Sequence, residues 1–154
     1  MLYFAYGSNM NWGQMSARCP SAKFVGVAVF PDHRLEFTRK SVARGCGVAD
    51  MVSDKNCLVW GVVYELSNAD VDSLDTSEGY RPGRDKNSYW RRGCRVFLDG
   101  DGGRPIQVAT YFAERQLKPP PPSQEYKKLI VEGARHWQLP AEYIVELERI
   151  RVDR

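Results

Sequence analysis

Apolar and polar positions change their period several times along the chain. Residues 2–6, Leu-Tyr-Phe-Ala-Tyr, form an apolar run that ends in Gly7-Ser8-Asn9. That pattern predicts a short strand and a sharp turn. Residues 11–18 predict a short helix, with Trp12 and Met15 at i, i+3. Cys19-Pro20 ends it, because a residue before proline avoids the α region. Residues 23–30 are rich in β-branched and aromatic side chains, a strand signature. Pro31-Asp32 reads as a turn, and residues 34–39 alternate as a half-buried returning strand. Residues 40–46 read as a basic loop, 47–52 as a short strand and 53–56 as a turn. Residues 57–66 are the most apolar run and predict a central strand. Gly61 inside it marks a bulge or a close backbone approach.

The period then shifts to that of a helix. Ser67-Asn68 offers an N-cap, Asp70 and Asp72 suit the first turns, and Val71 and Leu74 face inward. Gly79 suits the left-handed position after the helix, which puts Glu78 at its C-terminal end. Residues 81–88 read as a charged loop. Residues 89–98 and 106–113 flank a Gly/Asp turn and predict a hairpin. Four prolines, Pro119 to Pro122, form a stiff connector, and Ser123 caps a helix. Its stripe is Tyr126, Leu129, Ile130, Gly133, Ala134 and Trp137. Pro140 opens a last helix. About seven strands and three or four short helices follow, with no regular βαβ alternation. The expected fold is α+β: a small mixed, mostly antiparallel β-barrel with flanking short helices, as one domain over residues 1–154.

Composition changes this picture little. The 154 residues carry a formal net charge of +3, which favours anionic ligands mildly and does not demand nucleic acid. No apolar run spans a bilayer, and no leader pattern opens the chain, so no membrane partner is expected. Cys19, Cys46, Cys57 and Cys94 form no C-x-x-C pair, so free thiols in a reduced, cytoplasmic setting are expected. His33 and His136 are too few for most metal centres.

Three groups of residues are candidates for chemistry. Glu78 at a helix C-terminus faces the negative end of the macrodipole; with desolvation, its pKa would rise into the range of a general acid/base. Arg81, Arg84 and Lys86 would oppose that rise if they pointed inward. On spacing alone, a solvated glutamate at a helix end is the favoured reading. Gly7-Ser8-Asn9, between a strand and a helix start, presents spare backbone N–H groups to an anion, or is only a turn. Ser8 lacks the G-x-S-x-G setting of a nucleophile. Tyr126 reads as a core residue or as a hydroxyl aimed at a ligand. Arg91, Arg92 and Arg95 lie in one predicted strand, Arg91 and Arg95 sharing a face with Tyr89 and Phe97, and that face reads as a solvated outer wall.

Together these segments resemble a known family. Residues 3–10, Y-F-A-Y-G-S-N-M, look like the N-terminal signature of the gamma-glutamylcyclotransferases. Residues 59–64 with L-D-T-S-E-G-Y at 74–80 resemble its central strand and acidic segment, and residues 122–128 its substrate-tyrosine segment. Asn9-Met10 stands where the glutathione-specific branch favours Leu-Ile-Trp. The resemblance implies a cofactor-free enzyme, often a homodimer, that turns a small gamma-glutamyl substrate into 5-oxoproline. It implies Glu78 as proton acceptor and donor. It implies that Tyr3, Phe4, Ala5, Tyr6, Gly7, Ser8 and Asn9 line the glutamyl head, and that Tyr126 closes over it. Residues 40–46 and 81–88 match no family pattern and are expected to shape the leaving-group pocket. A non-catalytic binding module on the same fold, or removal of a gamma-glutamyl protecting group from a larger amine, are the alternatives.

Overall fold

A computed structural model describes residues 1–152. Five strands close into one barrel: β1 (Leu2–Ala5), β2 (Lys23–Ser41), β3 (Cys46–Glu65), β4 (Tyr89–Leu98) and β5 (Pro105–Ala113). Their order is β1-β3-β2-β4-β5, and β5 returns to β1. Every pairing is antiparallel except β1 with β5, where Tyr3 lies opposite Ala109. Four helices flank it: α1 (Trp12–Arg18), α2 (Asn68–Ser77), α3 (Gln124–His136) and α4 (Ala141–Glu148). A 3-10 turn, Ser8–Met10, joins β1 to α1. The mixed barrel with short helices agrees with the reading of the chain, and among the described residues no helix is long and apolar enough to cross a membrane.

The strand count differs. Residues 23–30 and 34–39 form one strand, β2, and residues 47–52 and 57–66 form one strand, β3. The turn signals at Pro31-Asp32 and 53–56 are real but do not end the ladder. Pairing steps from Pro31↔Leu58 to His33↔Ser53, so residues 54–57 bulge opposite Asp32. Asp32 and Asn56 both adopt left-handed backbone (φ 59° and 69°), which Asp and Asn tolerate. The Asp32 carboxylate accepts from the Asn56 N–H at 3.1 Å, closing the bulge. A bulge bends and twists its strand, which lets one long hairpin curl into the barrel wall and project beyond it. The predicted loop at 40–46 shrinks to the tight turn at the tip of that hairpin.

Two glycines position the future site. At the end of α2, Gly79 (φ 66°) takes the left-handed position, with Tyr80 N–H donating to Asp75 O and Gly79 N–H to Thr76 O. This Schellman closure holds Glu78 as the C-cap. In α3, a Cβ on Gly133 would lie 2.4 Å from the Met10 carbonyl carbon. The missing side chain therefore seats α3 on the Ser8–Met10 turn. Gly61 meets Ala5 O and the Phe4 ring in the same way, so it marks a close approach rather than a bulge. The core is continuous across these elements, with Phe4, Met10, Met51, Tyr64, Leu74 and Ile130 fully buried.

Gly133→Ala is expected to destabilise the protein by about 1–3 kcal/mol in urea unfolding, because neither backbone has room to give. The same variant should disturb the side chains anchored on residues 8–10.

Candidate active site

Between α2, the Ser8–Met10 turn and the β2–β3 hairpin lies a cavity of about 310 Å³. That volume suits a small molecule. It is lined by the buried Tyr3, Ser8, Tyr89, Tyr111 and Tyr126, by Glu78, and by residues 39–44 of the hairpin. Asn9 ties the turn to α2. Its Nδ2 donates to Tyr3 OH at 3.0 Å and to Glu78 Oε1 at 3.3 Å. Its Oδ1 accepts from Gln14 Nε2 (2.9 Å) and Arg18 Nη1 (3.1 Å). Gln14 Nε2 also donates to Ser8 Oγ at 2.8 Å, and Gln14 Oε1 accepts from Arg44 Nη2 at 2.8 Å. The Arg44 guanidinium then covers the Tyr126 ring, 4.9 Å from its centroid. The 3-10 turn bonds Met10 and Asn11 N–H back to Gly7 and Ser8 carbonyls. The Ser8 and Asn9 amides precede those bonds and are left out of the turn's own hydrogen bonding.

Known proteins share this arrangement of strands and helices. An AIG2-like family model matches residues 58–147. Human gamma-glutamylcyclotransferase is 34% identical over 153 residues, spanning 97% of this chain and 78% of that protein. The bovine protein of the same name matches to the same extent. A solved gamma-glutamyl cyclotransferase superposes with a TM-score of 0.88 at 32% identity, covering 99% of this chain and 89% of that one. The chain belongs to the gamma-glutamylcyclotransferase family. A yeast cyclotransferase described as specific to glutathione has a TM-score of 0.64 at 12% identity, over 96% of this chain and 93% of that one, which shows the fold alone.

Within this family member, the residues read from the sequence divide. Tyr3, Tyr6, Gly7, Ser8, Asn9, Glu78 and Tyr126 line one cavity. Phe4 and Ala5 do not. Both are fully buried, the Phe4 ring lying against Gly61 and its carbonyl accepting from Thr110 Oγ1 at 2.8 Å. Neighbouring strand side chains point to opposite faces, and packing closes over both Phe4 and Ala5, so the four residues of β1 do not all face one ligand. Tyr126 is both a core residue and a wall of the cavity, and its hydroxyl accepts from Ala49 N–H at 3.0 Å.

The electrostatics of Glu78 also depart from the expected contest. Arg81, Arg84 and Lys86 are exposed; Arg84 is held by Asn87 Oδ1 and Gly79 O. Burial is the main influence, pushing the Glu78 carboxyl up to about 7, with Arg18 and Arg44 pulling it down and Asp75 adding to the rise. Part of the residue stays accessible through the cavity, while surrounding side chains strip water from its carboxyl. Arg18, Arg44 and Gln14 were not singled out in the sequence. Arg18 and Arg44 are ordinary basic residues of a helix end and a hairpin tip, and only the closed barrel brings both to Glu78. The face of β4 at Tyr89 and Arg91 is not a solvated outer wall. Tyr89 OH donates to Ala49 O at 2.6 Å, and Arg91 pairs with the buried Asp75 at 2.6 Å. Arg95 is exposed, as expected, and Arg92 is exposed too. Among the described residues no group of three or more His, Cys, Asp and Glu side chains comes together as a metal site.

A carboxyl raised from its ordinary 4.5 to about 7 keeps its proton in the folded protein after the unfolded chain has lost it. Stability from this group is full below pH 4.5 and falls as pH rises to about 7. Glu78→Gln cannot ionise and should lack that fall. Its stability relative to the parent should therefore grow between pH 4.5 and pH 7.5, by up to about 3 kcal/mol in urea unfolding.

Proposed function

We propose that this chain is a gamma-glutamylcyclotransferase that converts gamma-glutamyl amino acids or amines into 5-oxoproline and the free amine, with Glu78 as general acid/base. The observation that carries the reading is a glutamate whose carboxyl titrates near neutrality in a small cavity, tied by Asn9 to the Gly7-Ser8-Asn9 turn.

The chemistry asks one group to move two protons. The substrate's α-ammonium gives a proton to the Glu78 carboxylate, and the freed nitrogen attacks the side-chain γ-carbonyl. A five-membered ring and a tetrahedral oxyanion form together. The amides of Ser8 and Asn9 are suited to hold that oxyanion or the α-carboxylate. Collapse breaks the bond to the leaving nitrogen, which takes that proton back from Glu78; the ring nitrogen then gives its second proton to Glu78, which passes it to the departing amine, so the products are neutral lactam and ammonium. A carboxyl titrating at about 7 is populated in both states at neutral pH, as this two-way transfer requires. Because the nucleophile is tethered to the electrophile, the site need only fold the substrate into an attacking shape. In this reading Ser8 supplies position and donors and does not attack. Tyr3, Tyr6 and Tyr126 enclose the head, and a Cβ added at Gly7 would lie 3.1 Å from Ala49 Cβ and 3.5 Å from the Tyr126 hydroxyl.

The reading carries with it the cytoplasmic setting and the homodimer expected of the family; the four unpaired cysteines support the first. Phe4 and Ala5 support the β1 wall from behind and have no direct part in binding.

Incubation with gamma-glutamyl-alanine should yield 5-oxoproline, detected by chromatography. Glu78→Gln should lower the rate by about 10²–10⁴ with its folded spectrum intact, and unchanged turnover would remove Glu78 from the mechanism. For the parent, kcat/KM should fall about tenfold per pH unit below about pH 7. Binding without turnover across a broad gamma-glutamyl panel would favour the binding-module alternative.

A further inference from the structure

The cavity is electrically lopsided. Among the described residues Glu78 is the one carboxylate on its wall, against Arg18, Arg39, Lys40 and Arg44. Among the described residues none of these four cations forms an ion pair; the pairs that do form lie elsewhere. Three of them rest on neutral acceptors or on nothing charged. Arg18 donates to Asn9 Oδ1, Arg44 to Gln14 Oε1, and Arg39 to the Glu114 carbonyl at 3.1 Å. The Lys40 backbone is pinned by Gln116 Oε1 at 2.8 Å, while its side chain is exposed at the rim. Hydrogen bonds to neutral groups orient a cation without cancelling its charge.

The four also differ in their reach to Glu78: Arg18 and Arg44, the inner pair, act on its carboxyl, and Arg39 and Lys40 do not. Arg39 and Lys40 stand at the end of β2, beside the hairpin tip where Val42 is 96% exposed. A gamma-glutamyl head brings one α-carboxylate, which the inner pair can match. A neutral amine as leaving group would leave the outer pair facing nothing. A leaving amino acid brings a second carboxylate on the far side of the scissile bond, toward the mouth.

We infer that Arg39 and Lys40 are specificity-determining residues that select a leaving group bearing a free carboxylate, an amino acid or the end of a short peptide, over neutral amines. The inference rests on the cyclotransferase reading and deepens it. It uses residues 39–44, a segment that matched no family pattern in the sequence. A surface cation acts through water, so each contributes modestly and in a salt-dependent way.

The experiment compares gamma-glutamyl-alanine with gamma-glutamyl-alaninamide, equal in shape but lacking the terminal charge, by 5-oxoproline release at low and high salt. The acid should be preferred at least about tenfold in kcat/KM at low salt, chiefly through KM, and the preference should shrink as salt rises. In Arg39→Gln/Lys40→Gln the ratio should fall to within about threefold. Lys40→Gln alone, whose side chain makes no hydrogen bond among the described residues, should lower the ratio partway and guards against a fold change from losing the Arg39–Glu114 contact. Equal turnover of both substrates, or a ratio that survives the double substitution or ignores salt, overturns the inference while the cyclotransferase reading stands. If neither substrate nor any other gamma-glutamyl amide yields 5-oxoproline, that reading fails and takes this inference with it.

Discussion

Everything at the site depends on keeping one carboxyl out of water beside two guanidinium groups without letting an ion pair form. Burial alone would drive the Glu78 pKa high; a direct pair with Arg18 or Arg44 would drive it low. The structure holds the balance near neutrality by giving each guanidinium a neutral oxygen: Asn9 Oδ1 for Arg18 and Gln14 Oε1 for Arg44. The orientation of the Asn9 amide follows. With Oδ1 accepting from Gln14 and Arg18, only Nδ2 is left to face Tyr3 OH and Glu78.

The rest of the fold keeps these few groups still. Tyr64 OH donates to Asn9 O, and Trp137 Nε1 donates to Met10 O, so β3 and the end of α3 both grip the turn. Gly133 permits that grip by letting α3 touch the turn's backbone. On the opposite side, Asp75 of α2 accepts from Tyr111 OH at 2.6 Å and from Arg91 at 2.6 Å. These two bonds fasten the helix that carries Glu78 to the barrel wall. Asp75 is buried, and losing either partner would leave its charge less compensated in a low-dielectric place.

The barrel also explains why the cavity is asymmetric. The long β2–β3 hairpin bends at its bulges and reaches past the barrel, so its tip becomes a rim over the site. Arg39 and Lys40, at the end of β2, stay in contact with water, while Arg18 and Arg44, which act on Glu78, are each held by an amide oxygen. Net positive charge therefore increases the pull on an anionic ligand at the mouth while the floor stays tuned for proton transfer.

Local chemistry in the chain was enough for the helix α2 with Glu78 at its end, the Gly79 stop, the β4–β5 hairpin and the apolar stripe of α3. Each rests on nearest-neighbour rules of capping, turn dihedrals and periodicity. The association of Glu78 with Gly7-Ser8-Asn9 and Tyr126 came from family resemblance in the motifs, since no spacing rule links residues so far apart. Tertiary structure alone decided three things. Turn residues at Asp32 and Asn56 became bulges because the ladder beyond them kept pairing. Phe4 and Ala5 went to the core because neighbouring elements pack over both faces of β1 at those positions. Arg18 and Arg44, and not Arg81, Arg84 or Lys86, became the charges that Glu78 feels, because Coulomb interactions follow distance in space, and distance in space is set by barrel closure.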